Sequence, residues 1–403
     1  MAQREVEEKM PQIQLLGILS SKLDESPENI LLSCLKGTRS ELSSNDQLKG
    51  GTTKKDYELL REAISRRHFA LAEKIKCEIS YKYLPYFVAM QMALFSYFDI
   101  LQQSFRRTSP KFIFVPEVIK ESKFHSKVKN HLDYVLKNYY NFVEKGVDPK
   151  EARYMLPMLF DMNMSVGGNL REFFHFILMS QSDDVPHVLR DVGIKTKSQI
   201  GEYVSNLLKI IDDSDISLND FHPTPNLFSQ KNPFFNDLFS NNRYKPLIEN
   251  CEKTVILDLP NLPENMDSST QKHYKISQVS KVSMYLLHQL SRHRTWVISP
   301  ETLRQAASHY EFSIPPSVIR RKLKQDYIKI MNSSYNLFTQ LKDGSQESEL
   351  VGMLPYGTTA YSLITMDLWN FNHQISSKLS SSTPWEMREW ASDFHLKVSR
   401  TLK

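Results

Sequence analysis

The chain has 403 residues, of which 40% are hydrophobic and 24% charged, with a formal net charge of +5. These values are typical of a soluble globular protein, and the length suggests two to three domains. No apolar run approaches the ~20 residues of a membrane-spanning helix, and the charged start Met1–Lys9 is unlike a signal peptide. The mild positive charge permits anionic small ligands and gives little support for a nucleic-acid partner.

Periodicity predicts a mixture of helices and strands. In chain order we expect a helix over Asp56–Lys76, a strand over Glu78–Phe87, helices over Phe87–Gln103, Ser126–Gly146, Leu170–Ser180 and Pro186–Val192, a strand over Lys253–Leu259, and helices over Ser277–Leu290, Val318–Leu341, Ser362–Ile375 and Trp385–Lys397. Long helices with a few strands indicate an α+β fold. A polar, proline-containing stretch, Asp212–Pro246, reads as a linker or long insert.

The cysteines and glycines restrict the chemistry. Cys34, Cys77 and Cys251 are odd in number and widely spread, which favours reduced thiols in a cytoplasmic protein and no zinc site. Only 12 glycines occur, with no phosphate loop and no dinucleotide fingerprint among them.

The chain also contains a diverged copy of itself, shifted by 198 residues. With this shift, residues 155–190 match 353–388 at ten positions without a gap, including Met155-Leu-Pro157 against Met353-Leu-Pro355. Unrelated segments of this length would share roughly two identities, so the match indicates an internal repeat. The sequence therefore predicts two copies of one fold, with a first copy over 1–205, a linker or insert over 206–250 and a second copy over 251–403.

The most concentrated group of functional side chains is Gln289-Leu-Ser-Arg292-His293-Arg294, which is followed by Thr302 and Arg304. Two guanidinium groups beside an imidazole suit a phosphate or an electron-rich ring. Ser299-Pro300-Glu301 reads as a helix start with Ser299 at the N-cap, whose free N–H groups would form an anion site. The alternative is a basic helix end that is simply solvated.

These residues resemble flavin-dependent thymidylate synthases. Arg292-His293-Arg294, seven residues and then Thr302 resembles that family's Arg-His-Arg…Ser signature. Three further blocks look similar and fall in the family's order: Ala152-Arg153-Tyr-Met-Leu156-Pro157, Asn169-Leu-Arg171 with His175-Phe176, and Trp385-Glu386-Met387-Arg388. The resemblance covers roughly residues 55–200 and 265–395. It implies an α+β fold present as two diverged copies of the flavin-dependent thymidylate synthase fold.

The resemblance also implies an activity: methylation of dUMP to dTMP with methylenetetrahydrofolate and NADPH, carried by FAD. It assigns Arg292, His293 and Arg294 to the catalytic cluster that contacts flavin and nucleotide. Substrate would be bound by the set Gln289, Thr302, Arg304, Arg153 and Lys378, and flavin by the set His68, Asn169, Arg171 and His175. Family members are tetramers with shared sites, so a homodimer of this chain would imitate that tetramer.

Simpler roles remain open for several of these residues. His175 and its counterpart His373 could be core histidines on an apolar helix face. Asn169 could have no role beyond capping the helix that starts at Leu170, and His68 could lie on the surface.

The copies differ at the positions that matter. At the places of Arg292, His293 and Arg294 the first copy has Leu94, Phe95 and Ser96, although it keeps Gln91, Ser104 and Arg106. At the places of Arg153, Asn169 and Arg171 the second copy has Val351, Asp367 and Trp369. The position of the family's uracil-contacting arginine is occupied by Ser180 in the first copy and by Lys378 in the second. Two hypotheses follow: the copies compose one enzymatic site together, or the chain is a non-catalytic descendant that binds a nucleotide or flavin, or scaffolds a partner.

Overall fold

The structure is a computed structural model that describes residues 7–18, 26–103, 108, 110, 112–235, 254–255, 266–342 and 347–401. Its mixture of helices and sheets confirms the predicted α+β class. No helix in the described ranges combines the length and apolarity needed to cross a membrane.

The described strands form two four-stranded antiparallel sheets and one short parallel pair. They are β1 (Glu7–Glu8), β2 (Gln12–Ile18), β3 (Lys76–Pro85), β4 (Phe98–Gln102), β5 (Phe112–Ile113), β6 (Asp161–Asn169), β7 (Thr254–Val255), β8 (Lys275–Ser283), β9 (Val297–Pro300) and β10 (Thr359–Asp367). The strand order is β2-β3-β6-β4 in one sheet and β7-β8-β10-β9 in the other.

Helices cover both sheets. In the first half of the chain they are α1 (Pro27–Gly37), α2 (Ser44–Lys49), α3 (Lys54–Ser65), α4 (Tyr86–Ala93), α5 (Glu117–Lys120), α6 (His125–Glu144), α7 (Pro149–Ala152), α8 (Leu170–Met179), α9 (His187–Gly201) and α10 (Ser205–Asp212). In the second half they are α11 (Ser268–Gln271), α12 (Met284–Ser291), α13 (Leu303–His309), α14 (Pro316–Arg320), α15 (Lys324–Lys342), α16 (Glu347–Leu350), α17 (Leu368–Asn370), α18 (Ser376–Lys378) and α19 (Trp385–Thr401).

The 198-residue shift reappears in these boundaries. Helix α4 becomes α12, α7 becomes α16, and β6 becomes β10 with both ends conserved under the shift. We refer to the described residues up to Asp212 as the first unit and to those from Met266 onward as the second unit. The side chains of the two units differ, but these three elements occur in the same order in both.

One local difference between the units is a β-bulge in β3. The pairing of β3 with β6 shifts register between Tyr81 and Leu84, whereas β8 pairs with β10 without a shift. Tyr83 lies in the bulge with φ of 59°, a left-handed conformation that is uncommon for a residue with a side chain. The first unit therefore carries one extra residue here.

The two units share one continuous hydrophobic core. Tyr86 of α4 stacks on Tyr356 with ring centroids 4.1 Å apart, and both side chains are buried. Tyr154 of the first unit donates a 2.7 Å hydrogen bond to the buried carboxylate of Glu386 in the second. Packing of this kind resembles the interior of a domain more than a loose interface between domains.

A connecting segment, residues 213–235, runs between the units and packs against both. Its apolar side chains Phe221, Leu227, Phe228 and Phe235 are buried. The sequence marked this stretch as a linker because of its polar composition, yet it contributes to the core.

Four predicted helices were wrong in part. Asp56–Lys76 ends as an α-helix at Ser65, and Lys76 already begins β3. Phe87–Gln103 ends as a helix at Ala93 and continues as β4; Ser277–Leu290 is β8 up to Ser283; and Ser362–Ile375 is β10 up to Asp367. Strand β6 was missed. Strand β8 is buried on both faces, so it lacks the alternation that identifies a strand. The predicted strand Lys253–Leu259 falls largely outside the described residues.

Candidate functional site

The cationic loop Arg292–Arg294 lies directly after helix α12. Ser283 caps the start of this helix by accepting a 3.0 Å hydrogen bond from the N–H of Leu286, and Arg292 is the C-cap residue. The partial negative charge at a helix C-terminus favours cations there. Arg292 donates to the side-chain oxygen of Gln289, one turn back. The helix end thus presents a guanidinium and an amide on the same side.

These side chains line an open cavity of about 410 Å³. We call it the cationic cleft, and its described lining residues are Ile100, Gln289, Arg292, His293, Ser377, Lys378, Ser382, Thr383, Pro384 and Met387. Four residues that the sequence proposed for the site therefore come together: Gln289, Arg292, His293 and Lys378. Ile100 belongs to β4 of the first unit, so the cleft lies where the two units meet.

The cleft favours an anion. Two cations, Arg292 and Lys378, line it, and none of its described lining residues is acidic. Burial and the positive charge of Arg292 lower the pKa of Lys378 from its ordinary value. Burial, with the charges of Lys378 and Arg292, lowers the pKa of His293 to about 4. His293 is therefore neutral near pH 7 and stacks on Trp296 with ring centroids 4.4 Å apart.

Arg153 of the first unit is not among the described lining residues of this cleft. Burial raises the pKa of Tyr86 well above its ordinary value, and the positive charges of Arg292 and Arg153 both oppose that rise. Tyr86 is therefore within electrostatic reach of a cation from each unit. Arg153 itself is buried and donates to the backbone oxygen of Thr108.

Arg294 does not line the cleft. Its guanidinium pairs with the carboxylate of Asp99 on β4, and both side chains are largely exposed. This pair links the units at the surface. Of the three residues assigned to the catalytic cluster, the structure places Arg292 and His293 at the cleft and Arg294 beside it.

Thr302 and Arg304 lie at a different place, the start of helix α13. The predicted helix start at Ser299 was wrong, because β9 extends to Pro300 and Thr302 is the N-cap. The side chain of Thr302 accepts from the N–H of Gln305, and the N–H of Leu303 donates to the backbone oxygen of Leu227 in the connecting segment. The chain itself therefore uses N–H groups that were predicted to hold an anion.

The proposed flavin residues gather in the first unit, where each has a partner or lies on the surface. Asn169 caps helix α8 by accepting from the N–H of Glu172 at 2.9 Å, and Arg171 pairs with Glu73 at 2.7 Å. His175 is buried and stacks on Phe221. His68 is exposed at the start of the turn Phe69–Lys74. The structure does not bring this set to the cationic cleft.

The same positions in the second unit are occupied differently. Asp367 caps α17 and accepts from the side chain of Asn370 at 2.9 Å, while His373 stacks on Trp369. Ser104 and Arg106 of the first unit lie outside the described residues.

Several lining residues were not foreseen from the sequence. Ser377, Ser382 and Thr383 are small polar residues without a distinctive spacing, and Ile100 comes from the other unit. In this wall of the cleft, the sequence had marked Lys378, Met387 in the block Trp385–Arg388, and Pro384, which matches Pro186 at the 198-residue shift.

Comparison with known proteins identifies the family to which the chain belongs. A family model described as thymidylate synthase complementing protein matches residues 22–200 and 247–401. A flavin-dependent thymidylate synthase of Saccharolobus solfataricus is 22% identical over 236 residues, which cover 57% of this chain and 88% of that protein. A solved structure of a UMP/dUMP methylase from Streptomyces cacaoi, bound with 5-Br dUMP, aligns with 52% of this chain and 97% of that chain, at 13% identity and a TM-score of 0.46. Since the family model matches most of the chain in two separate regions, the chain belongs to the thymidylate synthase complementing protein family.

Proposed function

We propose that the chain binds one pyrimidine nucleotide of the dUMP class in the cationic cleft, as the nucleotide-binding part of a thymidylate synthase-like function. The observation that carries this proposal is the convergence of Gln289, Arg292, His293 and Lys378 on a cavity of about 410 Å³ that has no acidic lining residue. A volume of this order suits a small ligand. Family membership supports a nucleotide as that ligand.

Each side chain has a role that its chemistry suits. Arg292 and Lys378 neutralise the phosphate, since charge-assisted hydrogen bonds to phosphate oxygens are stronger than neutral ones. The amide of Gln289 offers a donor and an acceptor to the base or sugar. Ile100 provides an apolar wall, and His293 stays neutral, so it hydrogen-bonds without adding charge.

We further propose that the units descend from one duplicated ancestor and that the site is composed from both. Support comes from the shared order of elements at a shift of 198 residues and from Ile100 in the lining. Arg153 contributes through its charge near Tyr86.

A flavin fits less well. When bound, FAD would supply the redox chemistry and carry the one-carbon unit of the family reaction. The flavin set His68, Asn169, Arg171 and His175 lies away from the cleft, with Asn169, Arg171 and His175 engaged inside the first unit. These residues do not fit a flavin as the single chain is folded, so we derive no step through it. The proposal is therefore nucleotide binding without a flavin held by one chain.

The second candidate function is the full reaction: methylation of dUMP to dTMP with methylenetetrahydrofolate and NADPH on FAD. The retention of Arg292 and His293 at a cleft favours it. It would require a second chain, in a homodimer, to supply flavin contacts.

Calorimetric titration with dUMP tests the nucleotide proposal. We expect binding by the wild type and at least about ten-fold weaker binding by Arg292→Ala and Lys378→Ala, because each loses a charge-assisted contact. Arg320→Ala, which removes an exposed cation lining a separate depression, serves as the matched control and should bind like the wild type. Absence of dUMP binding, or equal affinity in Arg292→Ala, would refute the proposal.

A flavin spectrum separates the two candidates. Protein incubated with FAD and then gel-filtered should carry no flavin absorbance if one chain binds nucleotide alone. Stoichiometric retention of FAD would favour the second candidate, which tritium release from 5-tritiated dUMP then tests.

A further inference from the structure

The first unit has its own counterpart of the cationic cleft, and the connecting segment fills it. Gln91 lies 198 residues before Gln289 and is completely buried. Its amide nitrogen donates to the backbone oxygen of Pro225 at 2.8 Å, and its amide oxygen accepts from the N–H of Leu227 at 2.8 Å. Gln91 therefore binds a backbone carbonyl and a backbone N–H, two residues apart, that belong to the chain itself.

A ring of the same segment fills an aromatic slot beside this amide. Phe221 stacks on Phe69 with ring centroids 5.0 Å apart and on His175 with centroids 5.3 Å apart, at interplanar angles of 25° and 8°. Its side chain is only 7% exposed. Two near-parallel aromatic rings that hold a third between them form a slot for a flat aromatic group.

The segment is tied to both units. Asp220 pairs with Arg67 at 2.8 Å, and Asn226 donates to Asp184 at 3.0 Å. On the other side, Asn232 donates to the backbone oxygen of Pro300 at 2.8 Å. A group held by such contacts is present at a high effective concentration, so it competes well with a free ligand.

The first-unit residues around the segment are apolar where the second unit has polar ones. Where the second unit has Arg292 and His293, the first has Leu94 and Phe95, both buried. Phe95 packs edge-on against His175 at 4.9 Å. An apolar wall suits the burial of Phe221 and of Leu227, whereas it would not suit an anion.

We propose that residues 221–227 are a built-in occupant of the first unit's ligand site. Phe221 takes the place of a planar aromatic ring, and the backbone of 225–227 takes the place of a ligand's adjacent carbonyl and N–H against Gln91. The chain therefore exposes one ligand site instead of two. If Phe221 is removed, the slot accepts a planar heteroaromatic compound that carries an adjacent carbonyl and N–H. This inference does not depend on the nucleotide proposal.

The test uses riboflavin, a planar heteroaromatic probe with such a carbonyl and N–H, and follows the quenching of its fluorescence. Phe221→Ala should bind riboflavin at least about ten-fold more tightly than the wild type, since a cavity left by a buried ring accepts aromatic compounds. Adding His175→Ala should reverse the gain. Phe228→Ala is the matched control, because Phe228 is fully buried in the same segment but packs edge-on to Phe87 outside the slot.

A folded Phe221→Ala protein that binds riboflavin no better than the wild type would overturn the proposal, as would an equal gain in Phe228→Ala. If Phe221→Ala does not fold, hydrogen exchange of the wild type decides. The amide of Leu227 should then exchange slowly and become at least about ten-fold faster in Gln91→Ala. Rapid exchange of Leu227 in the wild type would overturn the proposal.

Discussion

Pro157 and Pro355, which are 198 residues apart, form an antiparallel β-bridge with each other. Around this bridge the N–H of Met158 donates to the oxygen of Leu354 at 3.0 Å, and the N–H of Tyr356 donates to the oxygen of Leu156 at 2.9 Å. These two bonds exchange places under the shift. Equivalent residues that contact each other lie on a two-fold axis, as in a symmetric dimer. Around Pro157 and Pro355 the two units are therefore related by a local pseudo-two-fold axis.

The cleft and the filled slot follow from that arrangement. A two-fold axis produces two equivalent sites, one from each pairing of the units. The cationic cleft contains Gln289 and Arg292 with Ile100, and the filled site contains Gln91 and Leu94 with the start of α13 nearby. In the present structure the cationic cleft is polar and open, whereas Gln91 and Leu94 are buried and Gln91 bonds to the connecting segment.

Arg292 and Arg294 should behave differently although they are two residues apart. Arg292→Ala removes a cation from the cleft and should weaken dUMP binding at least about ten-fold. Arg294→Ala breaks an exposed pair with Asp99, which is worth about 0–1 kcal/mol, and should change dUMP affinity less than about two-fold. Titration calorimetry of both variants measures this. Equal losses would place Arg294 at the ligand.

Anion binding should be insensitive to the protonation of His293. Its pKa is lowered to about 4, so the folded protein keeps it neutral throughout pH 5.5–8. Sulfate is the suitable probe because its own charge is constant over this range. The protonation of His293 should leave the pH dependence of sulfate affinity unchanged, so the wild type and His293→Gln should bind sulfate alike over this range. If the wild type binds sulfate more tightly as the pH falls through about 6.5, and His293→Gln does not, the prediction is contradicted.

Asp161 should make the protein less stable as the pH rises. Burial raises its pKa to about 7 from the ordinary 3.8. Between these two pH values the folded state therefore keeps a proton on Asp161 that the unfolded state has lost. Stability is then fully present below about pH 4 and falls as the pH rises through 7, by at most about 4 kcal/mol. Asp161→Asn cannot titrate and should lack this component. Urea unfolding at pH 5 and pH 8 tests it, and parallel losses in both proteins would refute it.

Glu386 should stabilise the packing of the two units against each other. Its buried carboxylate accepts from Tyr154 at 2.7 Å, from Ser313 at 2.8 Å and from the N–H and hydroxyl of Ser283. Glu386→Ala leaves these buried donors unsatisfied and should lower the free energy of unfolding by about 3–5 kcal/mol. Glu389→Ala, on the exposed side of the same helix, is the control and should change it by less than about 0.5 kcal/mol. Similar losses in both variants would contradict this role.

The sequence predicted the repeat, the α+β class and the convergence of Arg292, His293, Gln289 and Lys378. The repeat came from comparison of one half with the other, the cluster of Gln289, Arg292 and His293 from local spacing, and Lys378 from the resemblance to the family. It did not predict Ile100, because nothing local indicates which strand of the other unit faces the cleft.

The connecting segment shows a second limit. Its composition suggested a linker or a long insert, and nothing in that pattern predicted that Phe221 would stack on two rings of the first unit. Thr302 and Arg304 were grouped with Arg292 because they are close in sequence. Strand β9 separates Thr302 and Arg304 from the cationic loop in the chain, and neither residue lines the cleft. Helix α13 instead contacts the connecting segment, which is distant in sequence.

The central claim is that one open nucleotide site exists per chain, and equilibrium dialysis with radiolabelled dUMP measures this directly. We predict one dUMP bound per chain at saturation in the wild type and in Arg320→Ala, and at least about ten-fold weaker binding in Arg292→Ala. Two dUMP per chain, or none, would contradict the account.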